Sequence, residues 1–341
     1  MLMWTMAANE TNCTIDHDLD QRLFPVVYIT VIMIGVPANL ASLFVSCLQI
    51  KKKNELGVYL FNLCLADLMY TLVLPLWVDY VLHHDSWRFS AGLCTLSAFL
   101  MHTNFYASSG FLTCISVDRY LAVVHPMKFH QLRTRRTAVC FCLLVWSVEI
   151  SSNSAIFFYQ QTSNDTEKHL LCYEIYPMEH WRALFNISRM CVGFFLPLVI
   201  MAFCYQRLHM AVKRNQATTN VAKLRIRKLL ITILVTFFLC FSPYHVLLLM
   251  RSIWEPGSCT FARSIFNPYK ITLALASLNC IADPILYCFV SETSRRDIGT
   301  LVKCCGQDEP QTPEKQDLEM SPISNKITLG PESVSRPDEV K

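Results

Sequence analysis

The sequence predicts an all-α membrane protein: a bundle of seven transmembrane helices followed by a short amphipathic eighth helix. Three observations predict it. Apolar residues make up 53% of the chain against 16% charged, with a mean hydropathy of +0.33, a balance foreign to soluble domains of this size. Long apolar segments recur at about 24–49, 56–82, 93–125, 137–159, 183–212, 226–252 and 268–290, each longer than the roughly 20 residues a helix needs to cross a bilayer. The connections after the first, third and fifth segments carry Lys51-Lys52-Lys53, then Lys128, Arg133, Arg135 and Arg136, then Lys213, Arg214, Lys223, Arg225, Arg227 and Lys228. The positive-inside rule makes those loops cytoplasmic and the N-terminus extracellular, in a multi-pass protein of the plasma membrane. The net charge of +4 is then a property of membrane-facing loops and gives no reason to expect nucleic acid.

Residues 1–23 form an external tail. Met1 to Ala8 lack a basic start and a cleavage site, so no cleaved signal peptide is expected. Asn9, Asn12 and Asn164 head glycosylation triplets on external segments; Asn186 heads another at a helix entrance, where it should go unused. Most of the sixteen cysteines fall in helices, as small buried hydrophobes. Cys94 and Cys172 both fall outside, where oxidation is permitted, and are read as a pair. Cys13 and Cys259 remain as a second external pair, a connectivity that sequence alone leaves open.

Within the receptor-sized core, 24–290, the first two helices embed Asn39 and Asp67. An intramembrane carboxylate costs about 2.5 kcal/mol or more to insert, so Asp67 reads as functional and Asn39 as a packing hub. Asn104 and Ser108 stand four apart on one face of the third helix, Glu149 follows Trp146 in the fourth, and Pro197 should loosen the fifth locally. Past the seventh helix, 291–305 has charges on one side and Ile298, Leu301 and Val302 on the other, which suits a helix lying on the inner surface. It ends on Cys304-Cys305, palmitoylation candidates; 306–341 is rich in Pro, Ser, Glu and Lys and reads as a disordered tail.

Several words resemble the proton-sensing branch of the class A, rhodopsin-like G-protein-coupled receptors. Asp118-Arg119-Tyr120, ending the third helix, resembles the rhodopsin-like class at large; the words that resemble the branch are Asn54-Glu-Leu-Gly-Val-Tyr-Leu, Leu74-Pro-Leu-Trp-Val-Asp-Tyr, His83-His-Asp-Ser-Trp87, Ser242-Pro-Tyr-His-Val and Cys280-Ile-Ala-Asp-Pro-Ile-Leu-Tyr-Cys. The resemblance implies a receptor for external protons acting through a heterotrimeric G protein. The stimulatory type that drives adenylyl cyclase is expected, with the q and 12/13 types as alternatives, and arrestin and receptor kinases are expected at the tail. It implies activation roles for Asp118, Arg119, Tyr120, Tyr205, Phe241, Pro243, Pro284 and Tyr287. Phe241 stands where the family's usual tryptophan would, and Asp283 replaces the asparagine of its Asn-Pro-x-x-Tyr word. The family's packing would also bring Asp67 near Asp283, with Glu149 completing an acidic set, and would let Asp67, Asn104, Ser108, Asn279 and Asp283 hold an allosteric sodium ion. Neighbouring carboxylates cannot both ionise cheaply.

The residues support acid sensing on their own terms. His17, His83, His84 and His169 fall outside, and His245 lies toward the outer end of the sixth helix. Histidine alone has an unperturbed pKa between about 5 and 8. Asp16, Asp18, Asp20, Asp79, Asp85, Glu167, Glu174 and Glu179 are acidic neighbours for a protonated imidazole. Two alternatives remain at this level. One is a lysolipid or psychosine receptor of the same fold, in which Arg189, Arg251 and Lys270 would grip the anionic head group of a lysolipid; the other is a proton-coupled transporter served by the intramembrane acids, although no internal repeat is visible. The sequence holds no metal cluster, phosphate-binding glycine loop or paired nucleophile, so neither an enzyme nor a required cofactor is expected.

Overall fold

The computed structural model describes residues 13, 15–125, 127–129, 131, 133–164, 170–173, 175–214 and 220–286. The expected glycosylation sites Asn9 and Asn12, His169, Tyr287, the eighth helix with Cys304 and Cys305, and the tail lie outside the described residues. So does the side chain of Asn164.

Seven long helices follow one another. α1 spans Asp18–Lys51, α2 Leu56–Leu82 and α3 Ala91–Val124; α4 spans Arg135–Asn153 and tightens into a 3-10 turn over Ser154–Phe158. A two-stranded hairpin, β1 (Thr162–Asn164) and β2 (Leu170–Cys172), pairs antiparallel with Thr162 opposite Cys172. α5 runs from His180 to Arg214, α6 spans Asn220–Trp254 and α7 Cys259–Ser277, continued by a short helix Asn279–Ala282 and a 3-10 turn Asp283–Leu286. Five helices, α1, α2, α4, α5 and α6, are long and apolar enough by themselves to cross a membrane. α3 and α7 carry buried polar residues along their length, among them His102, Asn104 and Ser108 on α3 and Lys270 and Ser277 on α7.

Local chemistry sets the ends. Ser90, Thr134 and Ser258 cap α3, α4 and α7, each side-chain oxygen accepting from the amide three residues on at 3.3 Å. Two prolines lack the N–H that would bond four residues back. α1 and α5 absorb this in π-turns at Val31–Gly35 and Cys191–Phe195, each ending two residues before its proline, Pro37 and Pro197. The loosening expected at Pro197 is therefore one π-turn. It also brings α5 close to α3: a Cβ on Gly193 would stand 2.2 Å from the Tyr106 ring, so only glycine fits there.

Three helix starts precede their apolar segments. α1 begins at Asp18, not near 24, α6 at Asn220, not near 226, and α7 at Cys259, not near 268. Hydropathy measures the width of the hydrocarbon layer, whereas these helices project beyond it as polar turns. Both expected disulfides are formed, Cys94–Cys172 holding β2 to the start of α3 and Cys13–Cys259 holding the N-terminal segment to the start of α7. We call this the disulfide end of the bundle, and the opposite one the basic end.

Candidate functional site

At the disulfide end, the extra turn of α1 carries Asp20 into the bundle, where it is fully buried. Lys270 of α7 places its Nζ 2.9 Å from Asp20 Oδ2. His17, immediately before α1, has its Nδ1 3.3 Å from the same oxygen and 2.9 Å from Asp85 Oδ2. The Cys13–Cys259 bridge fixes the chain just ahead of His17, and the imidazole edge rests on the Phe266 ring, centroids 4.8 Å apart. Phe24 and Phe266 present their faces to the Lys270 ammonium at 5.2 and 5.0 Å.

Asp85 arrives by a turn in which His84 and Asp85 both have φ of 55°. Left-handed backbone at a non-glycine residue costs on the order of 1–3 kcal/mol and persists where surrounding contacts impose it. Here it sets a buried aspartate against His17. The charges then count as two carboxylates, one ammonium and one imidazole. Taken by themselves, these four groups carry one net negative charge with a neutral imidazole and none with a protonated one.

The other outer histidines are placed differently. His83 Nδ1 is 3.3 Å from Asp79 Oδ1, but Arg88 already holds that oxygen at 2.5 Å, and the His83 side chain is 44% exposed. His84 is exposed, with no ion-pair partner among the described residues. His245 is buried, its Nδ1 2.8 Å from the Phe241 carbonyl and its ring stacked on Phe194 at 4.2 Å. His102 likewise sits 2.7 Å from the Ala98 carbonyl. Neither buried imidazole has a carboxylate in ion-pair contact among the described residues.

Of the basic residues available to an anionic lipid, two are taken. Arg251 makes a two-pronged contact with Glu255 at 2.5 and 2.9 Å, and Lys270 serves Asp20. Arg189 donates to Asn153 and Asn186 at 3.0 and 2.6 Å.

Midway along the bundle, Asp67 Oδ1 accepts from Asn104 Nδ2 at 2.9 Å and from the Cys280 thiol at 3.5 Å; Asn104 also reaches Ser108 at 3.4 Å. Asp283 feels the Asp67 charge, and both Asp283 oxygens, Asp67 Oδ2 and Asn104 Oδ1 are buried without a hydrogen-bond partner among the described residues. Glu149 does not join this pair: its charged neighbour is Arg189. Asn39 donates to the Cys280 carbonyl at 2.7 Å, as a packing hub would. Above them Phe241 is fully buried against Phe105 and Phe237.

At the basic end, Arg119 is bound to Asp118 through Nε at 2.8 Å and reaches Glu55 at 3.5 Å. Arg133 shares both acids, 2.5 Å from Glu55 and 3.2 Å from Asp118. Tyr120 meets His125 at 3.2 Å, and Tyr205 stacks on His209. Glu55 and Arg133 were not legible as site residues, because no short word marks them. α6 carries no Asp or Glu between Asn220 and Trp254, so the acids holding Arg119 come from α3 and the turn before α2.

The pattern of the 7 transmembrane receptor (rhodopsin family) matches residues 38–287. G-protein coupled receptor 65 of Homo sapiens is 48% identical over 331 residues, covering 94% of this chain and 98% of its own length. G-protein coupled receptor 68 of Homo sapiens is 47% identical over 294 residues, covering 86% of this chain and 80% of its own length. Lysophosphatidic acid receptor 6 of Gallus gallus is 32% identical over 294 residues, covering 83% and 95%. These relatives are receptors, not enzymes.

Proposed function

We propose that this chain, which belongs to the rhodopsin family of seven-transmembrane receptors, is switched on by extracellular acidification. The family implies a multi-pass plasma-membrane protein with a heterotrimeric G protein as partner. Our reading adds that the disulfide end is extracellular, that the stimulus is the proton, and that the G protein is the stimulatory type acting on adenylyl cyclase. Arrestin and receptor kinases would then meet the tail.

One observation carries the reading: a titratable ring, His17, stands between two buried carboxylates, Asp20 and Asp85, the first of which also meets the Lys270 ammonium. Protons favour whichever conformation binds them more tightly. A closed cluster ties the N-terminal segment, α1, the turn after α2 and α7 together, and α7 runs on to Asn279 and Asp283. The contribution of a protonated His17 is present at acid pH and lost as pH rises through its titration. A difference of about one pKa unit between conformations is worth about 1.4 kcal/mol; His83, His84, His169 and His245 are further candidates, and two or three such sites would shift a two-state population roughly a hundredfold to a thousandfold.

The unpartnered oxygens of Asp67, Asn104 and Asp283, with Ser108 and Asn279 nearby, make an oxygen-rich donor set suited to a hard cation. Bound sodium would supply one positive charge between the carboxylates. Asp67 of α2 and Asp283 of the turn after α7 repel one another when both are ionised, and their protonation would be a second route by which acid favours tighter packing. Asp118, Arg119, Tyr205 and Tyr287 would rearrange when the G protein engages, with Phe241, Pro243 and Pro284 as the points of bending.

The test is cyclic AMP in cells bathed in lipid-free medium stepped from about pH 7.8 to about pH 6.5, the imidazole range. The response should appear with the intact chain and shrink when the outer histidines are replaced as a group. Silence at acid pH, with a response to lysolipid, would establish the lipid reading instead.

A further inference from the structure

Toward the disulfide end, three buried polar atoms on three helices have no hydrogen-bond partner among the described residues: Tyr106 Oη on α3, Arg189 Nε on α5 and His245 Nε2 on α6. Each of these residues is more than nine-tenths buried. Their side chains adjoin. The Tyr106 ring lies 5.6 Å from the His245 ring and 5.6 Å from Arg189 Cζ, and the Arg189 charge is felt at His245. Asn186, His102 and Tyr244, their neighbours, also line a cavity of about 80 Å3 that reaches Cys172, so a water-sized ion has an approach from the disulfide end.

One nitrogen of His245 is committed. Nδ1 stands 2.8 Å from the Phe241 carbonyl, which can only accept, so Nδ1 carries the hydrogen and Nε2 of the neutral ring is bare. Nε2 becomes a donor only by taking up a proton. That proton would set a second buried cation beside Arg189, and a buried charge is costly unless it is paired. Besides Tyr106, the titratable groups facing the two are His102 on α3, Glu149 on α4, Tyr173 after β2 and Tyr244 on α6. Glu149 is the acid of that set, and it makes no ion-pair contact with Arg189 or His245 among the described residues. One carboxylate can answer one of two cations. A small anion would answer the other, accepting from Arg189 Nε, Tyr106 Oη and a protonated His245 Nε2.

We propose that one chloride ion binds among Arg189, Tyr106 and His245, and that it enters with the proton taken up at His245. In this it rests on the acid-sensing reading of His245 given above, and adds that the receptor takes up a proton and an anion together. Donors drawn from three helices suit a small spherical ion approached from several directions. Linkage is reciprocal, so acid tightens chloride binding and chloride moves the proton response toward alkaline pH.

The test is chloride NMR line broadening by the full chain in phosphatidylcholine nanodiscs, with chloride exchanged against gluconate and empty nanodiscs as the blank. Broadening should saturate, with a half-point that tightens about tenfold from about pH 7.5 to about pH 6.5, as one proton per ion requires. Tyr106→Phe keeps the ring and loses one donor, and should weaken binding about tenfold. His245→Phe keeps an aromatic ring against Phe194 and should remove most of the pH dependence. Arg189→Gln should abolish binding, and Tyr106→Phe carries the test if that variant does not fold. Broadening that is absent, independent of pH, or equal in the intact chain and Tyr106→Phe would overturn the site. Chloride binding that tightens in acid, in a receptor whose signalling ignores acid, would keep the site and remove the acid-activation reading instead.

Discussion

Two charge clusters stand at opposite ends of this bundle, built from nearly the same parts. At the disulfide end Asp20 and Asp85 face Lys270 and His17; at the basic end Asp118 and Glu55 face Arg119 and Arg133. Each has two carboxylates and two nitrogen bases, and the kind of base separates them. Both bases of the second cluster are arginines, charged at every physiological pH. One base of the first is an imidazole, charged only in acid. The first cluster can therefore read proton concentration, while the second can only be held or released. The comparison teaches where a pH signal can enter a receptor whose two ends are both rich in ion pairs.

The largest expected effect comes from removing a buried partner. Asp20→Ala removes the carboxylate that Lys270 Nζ meets at 2.9 Å, and breaking a buried pair in this way costs about 3–5 kcal/mol. Thermal unfolding of the purified receptor should show the loss; an unchanged transition would mean that the outer cluster is not a structural pair. Lys270→His comes next. It makes both bases titratable, so the acid response should steepen and, with a second site to protonate, move about one pH unit toward acid. A curve of unchanged slope and midpoint would remove Lys270 from the sensor.

Glu55→Gln is smaller. Its ion pairs are partly exposed, and such pairs are worth roughly 0–1 kcal/mol. Basal cyclic AMP should rise up to about fivefold while the pH midpoint stays put. A moved midpoint would break the division of labour between the two ends. Smallest is His83→Gln: Asp79 keeps Arg88 and the ring is half exposed, so the midpoint should shift by less than about 0.3 pH units, within the usual reach of a surface pair.

The seven-helix fold was legible because membrane crossing imposes long apolar runs, and the runs matched the helices wherever helix and hydrocarbon end together, as in α2. It was less legible at two of the ends that project. Reading α1 from 24 instead of Asp18 hid the one-turn relation between His17 and Asp20, and reading α7 from 268 left Cys259 in a loop. Contacts across the chain, such as His17 with Asp85 or Glu55 with Arg133, have no signature in either segment, because they follow from how helices pack. The resemblance that names Asp67, Glu149 and Asp283 as one acidic set likewise does not say which neighbours each carboxylate meets, and Glu149 faces Arg189.

The most direct measurement is nucleotide exchange on a G protein by purified receptor in nanodiscs, across pH, with His17→Lys beside the intact chain. A lysine there carries its charge at every pH tested. We expect the substituted receptor to be active in alkaline buffer with a flattened pH response, while the intact one rises only on acidification. A His17→Lys receptor that is silent in alkaline buffer and titrates with the intact midpoint would contradict the account.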